Sequence, residues 1–360
     1  MPTESYHVEV ATKELMKNTG RRRVDLTIRL VDEEEDDREW QIYATILEDI
    51  KIYLGERGYM EAGLQQVPAH VKCFNDAETK GKEEDSNNTP KIFMIENKMH
   101  LGFKKDMMIN KDGLDYEHCV IVIAALANFH ATSYCFRKQG KVNMARKYKV
   151  LRQGLAFPNI SEEALQRVEQ VFKAHPQYSK FSRLFLEVGN DGQFISNSNL
   201  ESFGVLSHGM FCRHNLLFKY KSNQDFIFSC CSVLFQDLSN CHYGSCVFDL
   251  LQFIFTSVDS NVRRNFMPDF VCSVYYDSFA KTVQNINSNI VMFSKRSFIR
   301  EFDKSIMYGF HFSVVAFTSL SDVENDKVKD KEADDKHEKY ILALIRDILD
   351  FKMCAQATLI

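Results

Sequence analysis

An asparagine and an aspartate flank a short strand-rich stretch of the chain, and both carry oxygen atoms that can bind a metal. Asn215 precedes the apolar run LLFKY, and Asp237 follows the run FIFSCCSVLF. We expect the two runs to form a β-hairpin whose ends bring Asn215 and Asp237 close together. An amide oxygen and a carboxylate at one edge suit a hard cation such as Mg²⁺.

Phosphoryl transfer is one chemistry that uses such a pair. The metal then bridges nucleotide phosphates, while an aspartate on the preceding loop accepts the proton of the substrate hydroxyl. Here that loop reads His208, Gly209, Met210, and a thioether cannot accept a proton at neutral pH. The alternative is structural, with Asn215 capping a turn and Asp237 capping a helix.

Composition sets the broad class of the protein. The chain has 360 residues, enough to bury a large core and to form about two domains or lobes. A net charge of -4 gives no reason to expect a polyanionic partner such as nucleic acid. The 10 cysteines lack a CxxC pair, so we expect buried free thiols. With no signal peptide and no run of about 18 apolar residues, we expect a cytoplasmic protein without a membrane span.

The order of predicted elements indicates an α+β protein. A hairpin is predicted around NTG, between YHVEV and VDLTIRLV, followed by a helix in EWQIYATILEDIKIYLGE and a strand at Lys91–Glu96. The rest is mostly helical by pattern, apart from the strand-rich stretch after Asn215. Its clearest helical patterns are the long LDYEHCVIVIAALANFHATSYCFR, with Asp115 near its start, and the closing YILALIRDILDFKM. Three charge-rich stretches, residues 32–39, 76–90 and 322–339, lack a core-forming face and are predicted to be solvated loops.

The motifs around this hairpin resemble a known family. HGMFCRHNLLFKY, followed by VLFQDLSNCHYGSCVFDLLQFIFTSV, is similar to the signature of the ecdysteroid-kinase-like (CHK kinase-like) family, relatives of choline kinases and aminoglycoside phosphotransferases. Upstream, FMIENKMHLGFKKDMMINKDGLDYEHCVIVIAALANFHATSY resembles further family elements in the same order. The resemblance covers roughly residues 6–258.

The resemblance implies a two-lobed protein-kinase-like fold. Residues 1–97 would form a small, strand-rich, nucleotide-binding lobe, shortened at its start, and residues 98–360 a large helical lobe containing the catalytic-loop hairpin at 206–250. It also implies ATP and Mg²⁺ as cofactors and, as acceptor, a hydroxyl of a small lipophilic molecule such as an ecdysteroid. The aromatic residues of FMPDFVCSVYYDSF would suit such an acceptor, although aromatic stripes at helical spacing are more often core.

Several residues match functional positions of the family. Asn215 and Asp237 match the metal ligands, and Asp249, twelve residues after Asp237 as in family members, would stabilise the catalytic loop from behind. His208 matches a histidine that supports the same loop. The strand whose backbone would meet adenine contains Phe93, Met94, Ile95 and Glu96.

Other functional positions depart from the family pattern. Met210 occupies the position of the catalytic aspartate, and losing a general base typically lowers a rate by about 10²–10⁴-fold. Arg29 replaces the phosphate-contacting lysine, and a planar guanidinium does not replace an ammonium without a change of geometry. Asp49 stands near the partner glutamate and is shorter, and Asn97 replaces an acid. Only five residues precede YHVEV, where the first strand and the phosphate-covering loop should stand.

Two functions are compatible with these residues. In one, the chain is an active ATP- and Mg²⁺-dependent kinase of small lipophilic molecules, with His208 or His214 taking over as base. In the other, it is a kinase-like protein without activity that binds a small molecule or a protein. Met210, Arg29 and the short N-terminus favour the second, and we expect weak activity or none.

Overall fold

The computed structural model describes residues 26–31, 38–59, 64–65, 67, 70–75, 91–96, 103–105, 113–152, 162–190, 199–222, 228–324 and 331–359. The strands within these ranges are β1 (Leu26–Val31), β2 (His70–Asn75), β3 (Lys91–Glu96), β4 (Phe103–Lys104), β5 (Gly204–Ser207), β6 (Leu216–Ser222), β7 (Phe228–Phe235) and β8 (His242–Ser245). The α-helices are α1 (Arg38–Gln41), α2 (Glu48–Gly55), α3 (Tyr116–Gly140), α4 (Met144–Lys147), α5 (Glu162–Ala174), α6 (Ser179–Asn190), α7 (Leu200–Phe203), α8 (Cys246–Ser257), α9 (Ser260–Asp269), α10 (Tyr276–Ile286), α11 (Lys295–Glu324) and α12 (Lys331–Leu359). Two π-helical segments, Ile42–Leu47 and Phe270–Tyr275, continue α1 and α9.

The chain divides into two compact units. The first comprises Met1–Met107 and Leu216–Ser239, and the second comprises Met108–Asn215 and Asn240–Ile360. The lobe boundary predicted after residue 97 falls within residues 97–102, which are outside the described part. The division into 1–97 and 98–360 therefore stays a prediction.

The first unit contains two antiparallel sheets of three strands each. One has the order β1-β3-β2 and the other the order β4-β6-β7. In the second sheet Leu216 pairs with Phe235 and Ser222 with Phe228, which confirms the predicted hairpin. Apolar side chains of this sheet pack on one another: Phe103, Leu217 and Leu234. In the first sheet β2 was not predicted, and the hairpin partner predicted for β1 lies outside the described residues.

The second unit is helix-rich and is built around α3 and α8. The predicted long helix is confirmed as α3, which begins where the Asp115 side chain accepts the backbone N–H of His118 at 3.0 Å. The apolar α8 is buried along nearly its whole length and packs on α11. Strands β5 and β8 pair with each other; β5 leads into the loop that begins at His208, and β8 leads directly into α8. The overall organisation is α+β, as predicted.

Two of the charge-rich stretches are partly helical, which corrects the prediction of solvated loops. Arg38 and Glu39 begin α1, and Arg38 is buried. In the stretch 322–339, α11 extends to Glu324 and α12 begins at Lys331, with His337 buried edge-on against Phe317 at 4.8 Å. Lysine, glutamate and alanine are good helix formers, so a charged run can continue a helix whose remaining face is packed. Residues 76–90 lie outside the described residues.

One described helix, α3, is long and apolar enough to cross a membrane by length and composition. Its most apolar 18-residue window is 78% buried inside the protein, and buried polar side chains such as His130 and Thr132 lie along it. A core helix passes the same test, so this is weak support for a membrane span.

The described cysteines are all free, as predicted. Most are buried, and burial raises the pKa of the Cys135 thiol to about 12. A buried thiol that stays protonated is a poor nucleophile and metal ligand, so this cysteine belongs to the core.

Candidate functional site

The candidate site is the loop of residues 208–215, which leaves the end of β5. Ser207, the last residue of β5, lies opposite His242 in β8. Gly209 has a φ of +84°, and a Cβ at this position would lie 2.1 Å from the carbonyl oxygen of Asn240. Only glycine avoids both the strain and the clash, so the residue type at position 209 is required by the path of the loop.

Asp249 of α8 forms hydrogen bonds with the backbone at the start of the loop. Its carboxylate accepts the backbone N–H of His208 at 2.6 Å, that of Gly209 at 2.9 Å, and Nε2 of His130 at 3.0 Å. Burial raises the pKa of this carboxyl, but the hydrogen bond and charge of His130, with the charges of His208 and His242, lower it to about 2. An acceptor that is ionised at neutral pH therefore binds the start of the loop.

The other ring nitrogen of His130 also has a partner, which orients the ring. Its Nδ1 lies 2.7 Å from the hydroxyl of Tyr275, at the end of the π-helical segment after α9. Because a carboxylate can only accept, Nε2 carries a proton that it donates to Asp249. Burial raises the pKa of Tyr275 well above its usual range, so the hydroxyl stays a donor. The sequence contained no signal for this contact, because Tyr275 lies 145 residues from His130.

Met210 is half-buried in the middle of the loop, and its side chain contacts α8. Its Sδ accepts from Nε2 of Gln252 at 3.5 Å, while Oε1 of Gln252 accepts the backbone N–H of Phe211 at 2.8 Å. A thioether is a weak acceptor and cannot act as a general base. Gln252 was not singled out in the sequence, where it reads as one polar residue in an apolar helix.

The two histidines of the loop differ sharply in exposure. The His208 ring is fully buried, stacks edge-on against Phe211 at 5.5 Å, and its Nδ1 lies 3.4 Å from the backbone nitrogen of Met210. The His208 ring is therefore packed against the loop itself. His214 is exposed, within the short 3-10 turn Arg213–Asn215.

Asn215 closes the loop. Its Nδ2 donates to the backbone carbonyl of Met210 at 2.9 Å, and its backbone N–H donates to the carbonyl of Cys212 at 3.0 Å. Because a carbonyl must face the NH₂ group, the orientation of the amide is determined and Oδ1 is left as its acceptor end. Asn215 therefore makes the turn-capping bond considered as the structural alternative and still has an oxygen to offer a cation.

Asp237 is exposed in the first unit and has a φ of +59°. Its Oδ1 accepts the backbone N–H of Ser239 at 3.3 Å and the hydroxyl of Ser239 at 2.5 Å, a local turn that matches the capping alternative. The backbone N–H of Leu238, which lies between these two residues, donates to Oε1 of Glu39 at 3.1 Å. Glu39 was missed because it belongs to a charged run that looked like a solvated loop.

The remaining predicted positions lie in the first unit. Arg29 pairs with Phe93 across the β1–β3 ladder, and Glu96 is the last residue of β3. Asp49 is half-buried in the first turn of α2. Side chains of β1 and β3 are outside the described part, so the nucleotide contacts predicted for Arg29, Phe93, Met94, Ile95 and Glu96 stay predictions. Among the described residues, no group of three or more His, Cys, Asp or Glu side chains could hold a metal ion.

Comparisons with known proteins point to one family. A model of the ecdysteroid kinase-like family matches residues 28–288, which is more than half of the chain. No match was found among curated proteins.

Three of the solved structures that resemble the chain have these descriptions. An amicoumacin kinase in complex with AMP-PNP, Ca²⁺ and Ami is 13% identical, with a TM-score of 0.43, over 89% of this chain and 81% of that chain. An aminoglycoside phosphotransferase from Alicyclobacillus acidocaldarius is 9% identical, with a TM-score of 0.45, over 94% and 87% of the two chains. A choline/ethanolamine kinase family protein from Mesorhizobium loti is 12% identical, with a TM-score of 0.37, over 95% and 96%.

Proposed function

Because the chain belongs to the ecdysteroid kinase-like family, we propose that it is a kinase-like protein that binds a small lipophilic molecule and has weak phosphotransferase activity or none. The observation that carries the proposal is Met210. The loop around it is hydrogen-bonded at both ends, by Asp249 and by Asn215, yet the side chain that should accept the substrate proton is a thioether. Loss of a general base alone lowers a rate by about 10²–10⁴-fold.

In this proposal no neighbouring base takes over the role of the aspartate that Met210 replaces. The buried ring of His208 is occupied by its contacts with the loop backbone. Residual transfer would then depend on positioning and electrostatic stabilisation of the reacting groups. His214 is exposed on the same loop and is the group whose replacement tests for rescue.

ATP and Mg²⁺ are the cofactors that the proposal includes. Asn215 offers Oδ1, and Asp237 offers Oδ2, which accepts none of the hydrogen bonds found among the described residues. Amide and carboxylate oxygens are suitable Mg²⁺ ligands. When bound, the metal would neutralise charge on the nucleotide phosphates. Arg29 would contact phosphate with Asp49 as its partner, and the backbone of Phe93–Glu96 would meet adenine.

The proposed acceptor is a hydroxylated lipophilic molecule such as an ecdysteroid, as the family description suggests. Three aromatic residues of FMPDFVCSVYYDSF, Phe270, Tyr275 and Phe279, are fully buried and belong to the core. Phe266 is 39% exposed and Tyr276 is half-buried, so these two are the aromatic side chains of that segment still able to contact a ligand. A cytoplasmic location is part of the proposal and rests on the free, mostly buried cysteines.

An active small-molecule kinase is the second candidate, favoured by the intact support of the loop and by the acceptor oxygen of the Asn215 amide. The experiment that separates the two offers the native chain ATP, Mg²⁺ and a panel of steroid and other lipophilic alcohols. Acceptor binding is followed by calorimetry and transfer by labelled phosphate. The proposal expects binding with little or no transfer, whereas robust transfer supports the active kinase.

A further inference from the structure

One face of α8 holds most of the candidate loop. Asp249 binds the backbone N–H groups of residues 208 and 209, and Gln252, one helical turn later, contacts residues 210 and 211. Ser257 continues the series, because its Oγ accepts the backbone N–H of Arg213 at 2.9 Å. Asp249 has a charge with which to hold the loop, whereas Gln252 acts through a neutral amide that is fully buried.

The two bonds of the Gln252 amide are unequal. Its oxygen meets a good donor, the N–H of Phe211 at 2.8 Å, but its nitrogen meets only the sulfur of Met210 at 3.5 Å. A buried N–H group gains little from a thioether and much more from a carboxylate, since hydrogen bonds to ionised acceptors are roughly twice as strong. The donor at Gln252 is therefore better matched to an oxygen at position 210 than to the sulfur that is present.

We propose that Gln252 is the positioning residue for the side chain at position 210, and that its buried amide is arranged to hold a carboxylate there. The inference rests on the proposed function only in treating position 210 as the place of the proton acceptor. Gln252 acts through the side chain at position 210, and it needs no turnover to be tested.

The test uses Met210→Asp and the double variant Met210→Asp/Gln252→Met, which replaces the amide by a side chain of similar length. The pKa of the introduced carboxyl is measured by ¹³C NMR in each protein. A hydrogen bond to the charged form lowers a pKa, so the double variant should have a pKa higher by about one to two units. His208 and Asp249 are ionisable groups that contact the loop next to position 210, Arg213 and His214 follow in the same loop, and all four are present in every variant.

A matched control is Met210→Asp/Thr256→Val. Thr256 lies one turn further along α8 and donates to the backbone carbonyl of Gln252 at 2.7 Å, so its removal perturbs the helix without touching the side-chain amide. The carboxyl in this variant should titrate as in Met210→Asp alone. An equal rise of the pKa in both double variants would overturn the positioning role.

A second measurement needs no change at Gln252 and covers the case in which Gln252→Met does not fold. The side-chain NH₂ signals of Gln252 are followed by ¹⁵N NMR in Met210→Asp across the titration of the introduced carboxyl. They should move with the same midpoint, and NH₂ signals that stay constant would overturn the inference. Robust phosphate transfer by the native chain would contradict the proposed function without altering either NMR result, so the two failures are distinguishable.

Discussion

Nε2 of His130 donates to Oδ2 of Asp249 at 3.0 Å, in a site where neither side chain is more than 1% exposed. The same carboxylate accepts two consecutive backbone N–H groups, those of His208 and Gly209. The loop, the core helix α3 and the apolar helix α8 therefore meet at one buried charge. A change at this charge should act on the stability of the whole second unit.

Asp249→Asn should destabilise the protein by about 3–5 kcal/mol, because the variant places an NH₂ group against N–H donors and removes the partner of His130. Urea unfolding measures the loss. The matched control is Asp303→Asn, since Asp303 accepts from Lys352 at the surface, where an ion pair contributes about 0–1 kcal/mol. Equal losses in the two variants would contradict the role given to Asp249.

His311 should make stability depend on pH. Burial lowers the pKa of His311 from 6.5 to about 4, against an opposing hydrogen bond with the backbone of Phe185. The unfolded chain therefore binds the proton at higher pH than the folded one. The stabilisation is complete above pH 6.5 and is lost as pH falls towards 4.

His311→Phe should flatten this dependence, which amounts to at most about 3 kcal/mol, because the variant has no proton to bind. The measurement is the urea midpoint at several pH values. Above pH 6.5 the native and variant curves should run parallel, which serves as the internal control. A native stability that stays constant between pH 6.5 and 4 would refute the assignment.

Gly209→Ala should be far more damaging than Gly58→Ala. Both glycines have positive φ, +84° and +69°, so both variants carry the strain of a left-handed residue, about 1–2 kcal/mol. Only at Gly209 would the added Cβ also meet backbone, the carbonyl oxygen of Asn240 at 2.1 Å, whereas nothing lies within 4 Å at Gly58. Thermal unfolding of the two variants compares the cost of strain alone with the cost of strain plus clash. Similar losses of stability in the two variants would mean that the loop at Gly209 can shift.

Glu39→Ala should loosen the segment after Asp237. In the native chain the Leu238 N–H donates to the Glu39 side chain, and loss of this bond should speed amide exchange at Leu238 by about 10–100-fold. Hydrogen exchange followed by NMR measures the change. Glu48→Ala is the control, because Glu48 is exposed and pairs with Lys51 within the same helix. Unchanged exchange at Leu238 would show that Glu39 does not hold this segment.

Much of the fold was predictable from the sequence, because it depends on local patterns. Apolar spacing identified α3 and α12, two apolar runs identified β6 and β7, and Asp115 marked the start of α3. The ordered motifs identified the family, and family membership together with the α+β organisation confirms the predicted kinase-like fold class.

The contacts behind the candidate loop could not be predicted, because they join residues far apart in the chain. Gln252 and Tyr275 have no distinguishing neighbours in the sequence, and their roles depend on where α8 and the π-helical segment pack. Glu39 was hidden for a different reason: a charged run looks solvated until one of its members is seen to bind backbone. Long-range hydrogen bonds leave no local pattern in a single sequence.

The most direct test of the central claim is the rate of phosphate transfer from ATP, with Mg²⁺ and a panel of steroid alcohols, for the native chain and for Met210→Asp. Met210→Asn is the matched control, since it supplies an oxygen at the same place but no base. We expect little or no transfer by the native chain, a gain of about 10²–10⁴-fold in Met210→Asp, and no comparable gain in Met210→Asn. Robust transfer by the native chain, abolished by Asp237→Ala and unaffected by His208→Gln or His214→Gln, would contradict the account.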